Sequence, residues 1–300
     1  MSKKNKNDDT RGKVGFDLYY SEIFGERWNH LKESLLEESS PVSYKLSSDL
    51  RTYFLDKASI FAASILPLKN VHSILDLCAA PGGKTLVISS LMEEDAILTS
   101  NERSFDRKQR LVKVCDEHLP ESIRQRVNIS CSDGALWCKT KKECFQRILL
   151  DAPCSSERHV LQDEKYLLQW SPARIKTLSM EQWALLSSAY RMLEPEGILV
   201  YSTCALAPKE NDEVIKKLLK KFPDAKVISF ESDEYKIRHV SFDELQKRIA
   251  NYSPNFVFPD YEKTELGYQI LPDKQNGAGP IYFSMIFKNI PAQLNSNASR

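Results

Sequence analysis

Three hundred residues, 42% hydrophobic and 28% charged, make an ordinary globular chain, long enough for one large α/β domain with an appendage. A net charge of +1 sets up no global basic field, so any contact with phosphates rests on a local patch or on a partner. Seven cysteines without a Cys-x-x-Cys pair argue against a disulfide framework and against a metal site, and no apolar run is long enough to cross a bilayer.

The first ten residues are polar, carry Asp8 and Asp9, and lack the apolar stretch of a signal peptide. Residues 1–13 and 291–300 are expected to be disordered tails, and the protein to be cytoplasmic, or mitochondrial if eukaryotic although no clear transit peptide is visible. Residues 14–69 read as a mostly helical extension. Trp28, Leu31, Leu35 and Leu36 share one helical face, Ser39-Ser40-Pro41 breaks the pattern, and Asp56 to Leu66 forms a second apolar helix.

Residues 70–290 alternate short apolar runs with helical stretches. The runs are Ser73 to Cys78, Ala96 to Ser100, Val127 to Cys131, Arg147 to Ala152 and Gly197 to Cys204, and the helices are expected at 84–92, 105–117, 172–193 and 210–221. In the last helix Pro208 suits the first turn, with Glu210, Asp212 and Glu213 near the positive end of the dipole. Gly267 to Leu271 and Ile281 to Lys288, joined through Gly277-Ala278-Gly279-Pro280, read as a closing antiparallel pair. The pattern predicts an α/β, Rossmann-like, doubly wound and mostly parallel sheet, with ligands at the carboxyl ends of its strands.

The most specific segment is Leu75-Asp76-Leu77-Cys78-Ala79-Ala80-Pro81-Gly82-Gly83-Lys84-Thr85, after the first of these strands. Small residues and paired glycines bring the backbone close to a ligand, and the following helix offers free N–H groups. A P-loop would need glycine where Cys78 stands, and no Gly-x-Gly-x-x-Gly fingerprint occurs. A plain tight turn explains the glycines but not a ligand-accepting strand end. The segment resembles the cofactor loop of the NOL1/NOP2/Sun (RsmB/NOP) RNA (cytosine-5) methyltransferases, and the likeness runs from about Phe16 to Lys288. The resemblance implies a class I S-adenosylmethionine-dependent methyltransferase, with Cys78, Ala79, Ala80, Pro81, Gly82, Gly83 and Lys84 around the methionine part of S-adenosyl-L-methionine.

An acid after the second strand commonly takes ribose hydroxyls, which here is Glu102, with Arg107 following as the family pattern implies. Asp133-Gly134, after the third strand, resembles the family's adenine-contacting acid. Helix capping is the alternative reading of both acids.

Leu150-Asp151-Ala152-Pro153-Cys154 and Tyr201-Ser202-Thr203-Cys204 close the fourth and fifth strands beside that cleft. Carbon 5 of cytosine is a poor nucleophile. A thiolate added to carbon 6 makes it enamine-like and able to accept a methyl group, after which a base removes the carbon-5 proton and the thiolate leaves. Asp151 is placed to hold N3 and the exocyclic amine and also borders the cofactor, while Lys84 supplies positive charge near the thiolate or the acid. Spacing does not decide which cysteine attacks. The resemblance implies that Cys204 attacks and Cys154 assists product release, whereas DNA cytosine methyltransferases use the Pro-Cys position.

Ser155-Ser156-Glu157-Arg158-His159 replaces a commoner glycine-containing turn and resembles the subgroup of mitochondrial ribosomal and transfer RNA enzymes, as does Phe16 to Trp28. Ala205 and Asp212 stand where Ser and Glu are commoner, with Glu210 and Asn211 retained. Arg158 and His159 are the expected RNA contacts, while most other basic runs read as solvated faces. The target is expected to be a loop or single-stranded cytosine of rRNA or tRNA, chosen with help from a protein partner or ribosomal particle. A catalytically silent RNA-binding or ribosome-assembly factor on the same fold is the rival.

Overall fold

The computed structural model describes residues 10–274 and 277–290. The tail expected at 291–300 lies outside the described residues, as does that at 1–13 apart from its last four positions. In chain order the elements are α1 (Gly12–Phe24), α2 (Arg27–Leu36), β1 (Val42–Tyr44), β2 (Tyr53–Leu55), α3 (Lys57–Ser64), β3 (Ser73–Asp76), α4 (Gly83–Leu91), β4 (Ile97–Glu102), α5 (Phe105–His118), α6 (Glu121–Arg124), β5 (Val127–Cys131) and β6 (Phe145–Asp151). There follow α7 (Glu157–Gln162), α8 (Glu164–Gln169), α9 (Pro172–Met192), β7 (Leu193–Thr203), α10 (Asp212–Lys221), β8 (Ala225–Ile228), α11 (Asp233–Lys236), α12 (Phe242–Ala250), β9 (Glu262–Lys263), β10 (Tyr268–Ile270) and β11 (Ile281–Lys288).

The main sheet runs β5-β4-β3-β6-β7-β11-β10-β9, with β8 pairing a second stretch of β11. The first five strands are parallel, and β11 lies antiparallel to β7, β10 and β8. The closing unit is therefore larger than the expected hairpin. Strands of two to four residues, such as β8 and β9, are too short to show an apolar period.

Both faces of the sheet are covered, as a parallel sheet requires. One face packs α3, α4 and α5 through Ile60, Leu86, Val87 and Leu111; the other packs α9 and α10 through Leu186, Ala189, Ile215 and Leu218. Asp56 caps α3 by accepting from the amides of Ala58 and Ser59. The extension is less helical than expected, because β1 and β2 form an antiparallel pair between α2 and α3.

A third core joins α1 and α2 to the far side of the sheet. Phe16, Tyr20, Trp28, Leu31 and Leu35 bury themselves against Val160, Leu161, Trp170 and Ile175 and against Leu206, just beyond the end of β7. These aromatic contacts fix the backs of the loops after β6 and β7, which face the ligand side on their other surface.

The helix expected from 210 begins at Asp212. Pro208 and Glu210 precede it in a tight turn in which Glu210 N–H donates to Ala207 O at 2.9 Å and Tyr201 OH donates to Glu210 O at 2.6 Å. Asp212 and Glu213 remain in the first turn of α10, but Glu210 points inward and is fully buried.

Candidate active site

The carboxyl ends of β3, β4, β5, β6 and β7 gather the expected residues at one edge of the sheet. After β3, Gly82 takes φ +123°, a value open to glycine, and leads straight into α4. A Cβ on Gly83 would stand 2.4 Å from Leu55 Cδ2 and 3.1 Å from Tyr53 Cε1, so the loop packs closely against the β1–β2 pair and a larger residue would have to displace those side chains.

Glu102 ends β4 and is 4% exposed. Its Oε1 accepts from Ser104 N–H at 2.9 Å, while Oε2 lies 3.3 Å from an Arg107 nitrogen yet has no hydrogen-bond partner. Arg107 also donates to Ala80 O at 2.8 Å and so ties the first loop to the second strand end. Asp133 caps the short turn that follows β5, accepting from Ala135 N–H at 3.0 Å, so the capping role weighed from the sequence is present. Glu102 is no surface cap, because Ser104 caps α5. Both acids line one cleft of about 260 Å³ with Cys78, Ala80, Arg107, Gly134, Asp151, Cys154 and Cys204.

A second cleft of about 400 Å³ meets the first at Asp151, Ala152, Ser156 and Cys204. Lys84, Arg158 and His159 line it. Arg158 donates through Nη2 to Gly277 O at 2.8 Å, while its Nε and Nη1 are buried without a partner. His159 is exposed, with its ring 5.0 Å from that of Tyr166.

Between the clefts, β6 and β7 are in register with Asp151 opposite Ser202. Lys84 Nζ donates to Asp151 Oδ2 at 2.7 Å, and Ser202 Oγ donates to Oδ1 at 2.8 Å. Burial alone would push the lysine pKa down, but the charge and hydrogen bond of Asp151 outweigh it and raise it. Behind them Asp76 is fully buried and receives Thr85 Oγ1 at 2.7 Å; burial lifts its carboxyl to about 7. Burial also pushes the Cys78 thiol up.

The two cysteine sulfurs stand 2.9 Å apart, with Ser156 Oγ 3.6 Å from Cys154 and 3.4 Å from Cys204. Their environments are unlike. The hydrogen bond from Cys154 lowers the Cys204 pKa; burial opposes this and the Ser156 hydroxyl adds to it, and the nearby Lys84 charge favours a thiolate. Cys154 is raised by that same bond, by burial, and by Glu157 and Glu210 beneath it. Both directions make Cys204 the more acidic thiol of the pair.

Ser156, Ser202 and the buried pair Glu157 and Glu210 were not singled out from the sequence as part of this site. Ser202 lies opposite Asp151 only through strand register. Ser156 is at φ +55°, which no residue pattern announces.

Comparison with known proteins agrees with the fold. Residues 63–285 match the family described as 16S rRNA methyltransferase RsmB/F. The chain is 30% identical over 247 residues to the 5-cytosine rRNA methyltransferase NSUN4 of Xenopus tropicalis, covering 80% of this chain and 57% of that protein. It is 30% identical over 238 residues to the mitochondrial tRNA (cytosine(34)-C(5))-methyltransferase of Danio rerio, covering 79% and 60% respectively. The structure of NSun6 from Pyrococcus horikoshii with SFG superposes with a TM-score of 0.60 at 21% identity, over 82% of this chain and 57% of that one. The chain thus spans less than two thirds of these relatives, yet the family match extends from the end of α3 to β11 and takes in every strand end that builds the site. This chain belongs to the RsmB/F methyltransferase family.

Proposed function

We propose that the protein methylates carbon 5 of cytosine in rRNA or tRNA, using S-adenosyl-L-methionine, and that Cys204 forms the covalent bond to carbon 6. One observation carries the reading: two unlike thiols, 2.9 Å apart, stand where a cofactor-sized cleft opens into a second cleft, with an acid at the junction.

The residues of the first cleft fit an adenosyl group. Glu102 Oε2, buried and without a hydrogen bond, would accept from a ribose hydroxyl, Asp133 and Gly134 would border the base, and Cys78 and Ala80 of the first loop would border the amino-acid end. The bound cofactor supplies an electrophilic methyl group. In the second cleft, Cys204 Sγ adds to carbon 6 while Asp151, held by Lys84 and Ser202, binds N3 and the exocyclic amine so that charge on the ring is met by a donor network. Once carbon 5 carries the methyl, its proton passes to solvent water as the C6–S bond breaks, and Cys204 leaves as the thiolate it began as, its release assisted by the hydrogen bond from Cys154.

Arg158 and His159 are proposed RNA contacts; the two unpaired Arg158 nitrogens suit a phosphate oxygen. Selection of the RNA is shared with a partner protein or ribosomal particle, in the cytoplasm or in a mitochondrion. The test is incubation with total RNA and labelled cofactor. Cys204→Ala yields no product, and Cys154→Ala accumulates a protein–RNA adduct. Full activity of Cys204→Ala overturns the mechanism, and a silent wild type that still binds RNA favours an assembly factor.

A further inference from the structure

Beneath the two cysteine loops lies a polar cluster that the methyl-transfer scheme does not use. Ser155 follows Cys154, Glu157 opens α7, and Glu210 sits in the turn before α10. All three are fully buried. The hydroxyl of Ser155 touches both carboxylates, at Glu157 Oε1 and Glu210 Oε1. Glu157 also receives Tyr20 OH from α1 and, through Oε2, the Leu206 amide at 3.1 Å, two residues beyond Cys204. Glu210 Oε2 receives the Ser155 amide at 3.0 Å and Gln182 Nε2 from α9 at 2.7 Å. The same Gln182 nitrogen donates to Pro153 O at 2.9 Å, just before Cys154.

Counting protons constrains this cluster. Ser155 has one hydroxyl proton and faces two carboxylate oxygens, so with both acids ionised one contact would set lone pair against lone pair. Glu157 accepts from Tyr20, Ser155 and Leu206, three donors that suit a carboxylate. Glu210 Oε2 is already served by two N–H groups, which leaves Oε1 to carry a proton and donate it to Ser155 Oγ. Two full negative charges bridged by one hydroxyl in a fully buried site are strongly disfavoured.

We propose that Glu157 and Glu210 share one proton through Ser155 and, in that singly protonated state, act as positioning residues that hold the Cys154 and Cys204 loops together for methyl transfer. This rests on the function proposed above. Glu157 bonds directly to the loop after Cys204, Ser155 belongs to the loop after Cys154, and Tyr20 anchors the pair to α1. Loss of the proton leaves two buried anions under the thiols, which loosens the clamp and disfavours a thiolate at Cys204.

The titratable groups facing the pair are Tyr19 and Tyr20 from α1, Cys154 and Cys204 from the loops, and Tyr201 from β7; Glu213 of α10 acts on the same Tyr19. None of these is cationic, so none supplies a counter-charge to a second anion. Burial, and then the charge of Glu157, raise Glu210 from 4.5 to about 7. The sign follows from the raised value: the contribution to stability is complete below the unfolded pKa of the acid and is lost as pH rises through about 7. Activity therefore declines on the alkaline side although the thiolate population grows there.

Glu210→Gln is the decisive variant, because a carboxamide donates to Ser155 and accepts from Gln182 as the protonated acid does. Three readouts are compared with wild type from pH 5.5 to 9: melting temperature, the rate at which iodoacetamide labels Cys204 without RNA, and methyl transfer to RNA. The expected result is activity within about threefold of wild type near pH 6.5, with the fall in melting temperature from pH 5.5 to about 7 and the decline of methyl transfer through about pH 7 both abolished. Infrared difference spectra should show a protonated-carboxyl band, shifted in heavy water, that the variant lacks. An unchanged alkaline decline, or an unchanged infrared band, overturns the proposal. Glu157→Gln, which places an amide before three donors, is expected to lose activity at every pH; if it fails to fold, the Glu210→Gln profiles still decide. The labelling and melting profiles are free of RNA chemistry, so a failed methylation assay with a pH-dependent clamp would count against the function alone.

Discussion

Replacing Asp151 by Asn separates what the acid does for chemistry from what it does for structure. Asn keeps the shape and an acceptor but removes the charge that holds Lys84 at 2.7 Å, and Ser202 loses a carboxylate as its acceptor. Loss of a positioned acid or base costs roughly 10² to 10⁴ in rate, equivalent to about 3–5 kcal/mol of barrier. The structural cost is smaller. The Lys84 side chain is only 15% exposed and is left without its anion, while the Asp151 side chain is 30% exposed and the pair is partly screened. A discounted penalty of about 1–2 kcal/mol follows for stranding the ammonium, which is a fall of several degrees in melting temperature for a domain of this size. The assay is single-turnover transfer of labelled methyl to RNA at saturating cofactor, with thermal melting alongside. Asp151→Asn with Lys84→Met removes both charges, and this double variant is expected to regain most of the lost stability and none of the lost rate. Two results refute the reasoning: Asp151→Asn within threefold of wild type, or a double variant that recovers rate together with stability.

Glu102→Ala is expected to weaken cofactor binding by about 10- to 100-fold, the worth of one to two hydrogen bonds to a carboxylate, while RNA affinity stays unchanged; calorimetry with each ligand reads this. Gly82→Ala places a side chain at φ +123° and its Cβ 2.9 Å from Val114 Cγ1, so a loss of about 1–3 kcal/mol in stability is expected from melting curves. Arg158→Ala should reduce RNA affinity and lower the slope of log affinity against log salt by about one, leaving cofactor affinity alone. Because Cys154 holds the Cys204 pKa down, Cys154→Ala should move the pH profile of Cys204 alkylation upward; a profile that stays in place or moves down contradicts the assigned direction.

Much of this arrangement is legible in the sequence for a topological reason. Parallel strands end at one edge, so residues that close successive apolar runs must meet there, as Cys78, Glu102, Asp133, Asp151 and Cys204 do around two adjoining clefts. What escapes the sequence depends on register or on an unpatterned turn. Ser202 reaches Asp151 because β6 and β7 pair with that offset, and a shift of one residue would turn it to the other face. Glu210 looks like an acid at a helix N-terminus, yet the turn held by Tyr201 OH delays α10 to Asp212 and drives Glu210 into the interior. The β1–β2 pair is three residues per strand and stands within a stretch whose composition reads as helical.

The unequal fate of the two cysteines follows from what lies on either side of them. Their sulfurs share one hydrogen bond and one neighbour, Ser156, and that bond is the largest influence, lowering Cys204 and raising Cys154. A further difference lies one layer out. Lys84 brings positive charge to Cys204, against the negative charge of Asp151 and Glu157, while Cys154 meets the negative charge of Glu157 and Glu210. The more acidic sulfur of the pair is therefore the one that opens onto the second cleft. In the proposed mechanism the more acidic thiol attacks and is later released in the same form when the C6–S bond breaks, with Cys154 as its hydrogen-bond donor at both moments, which gives both thiols a part in one cycle.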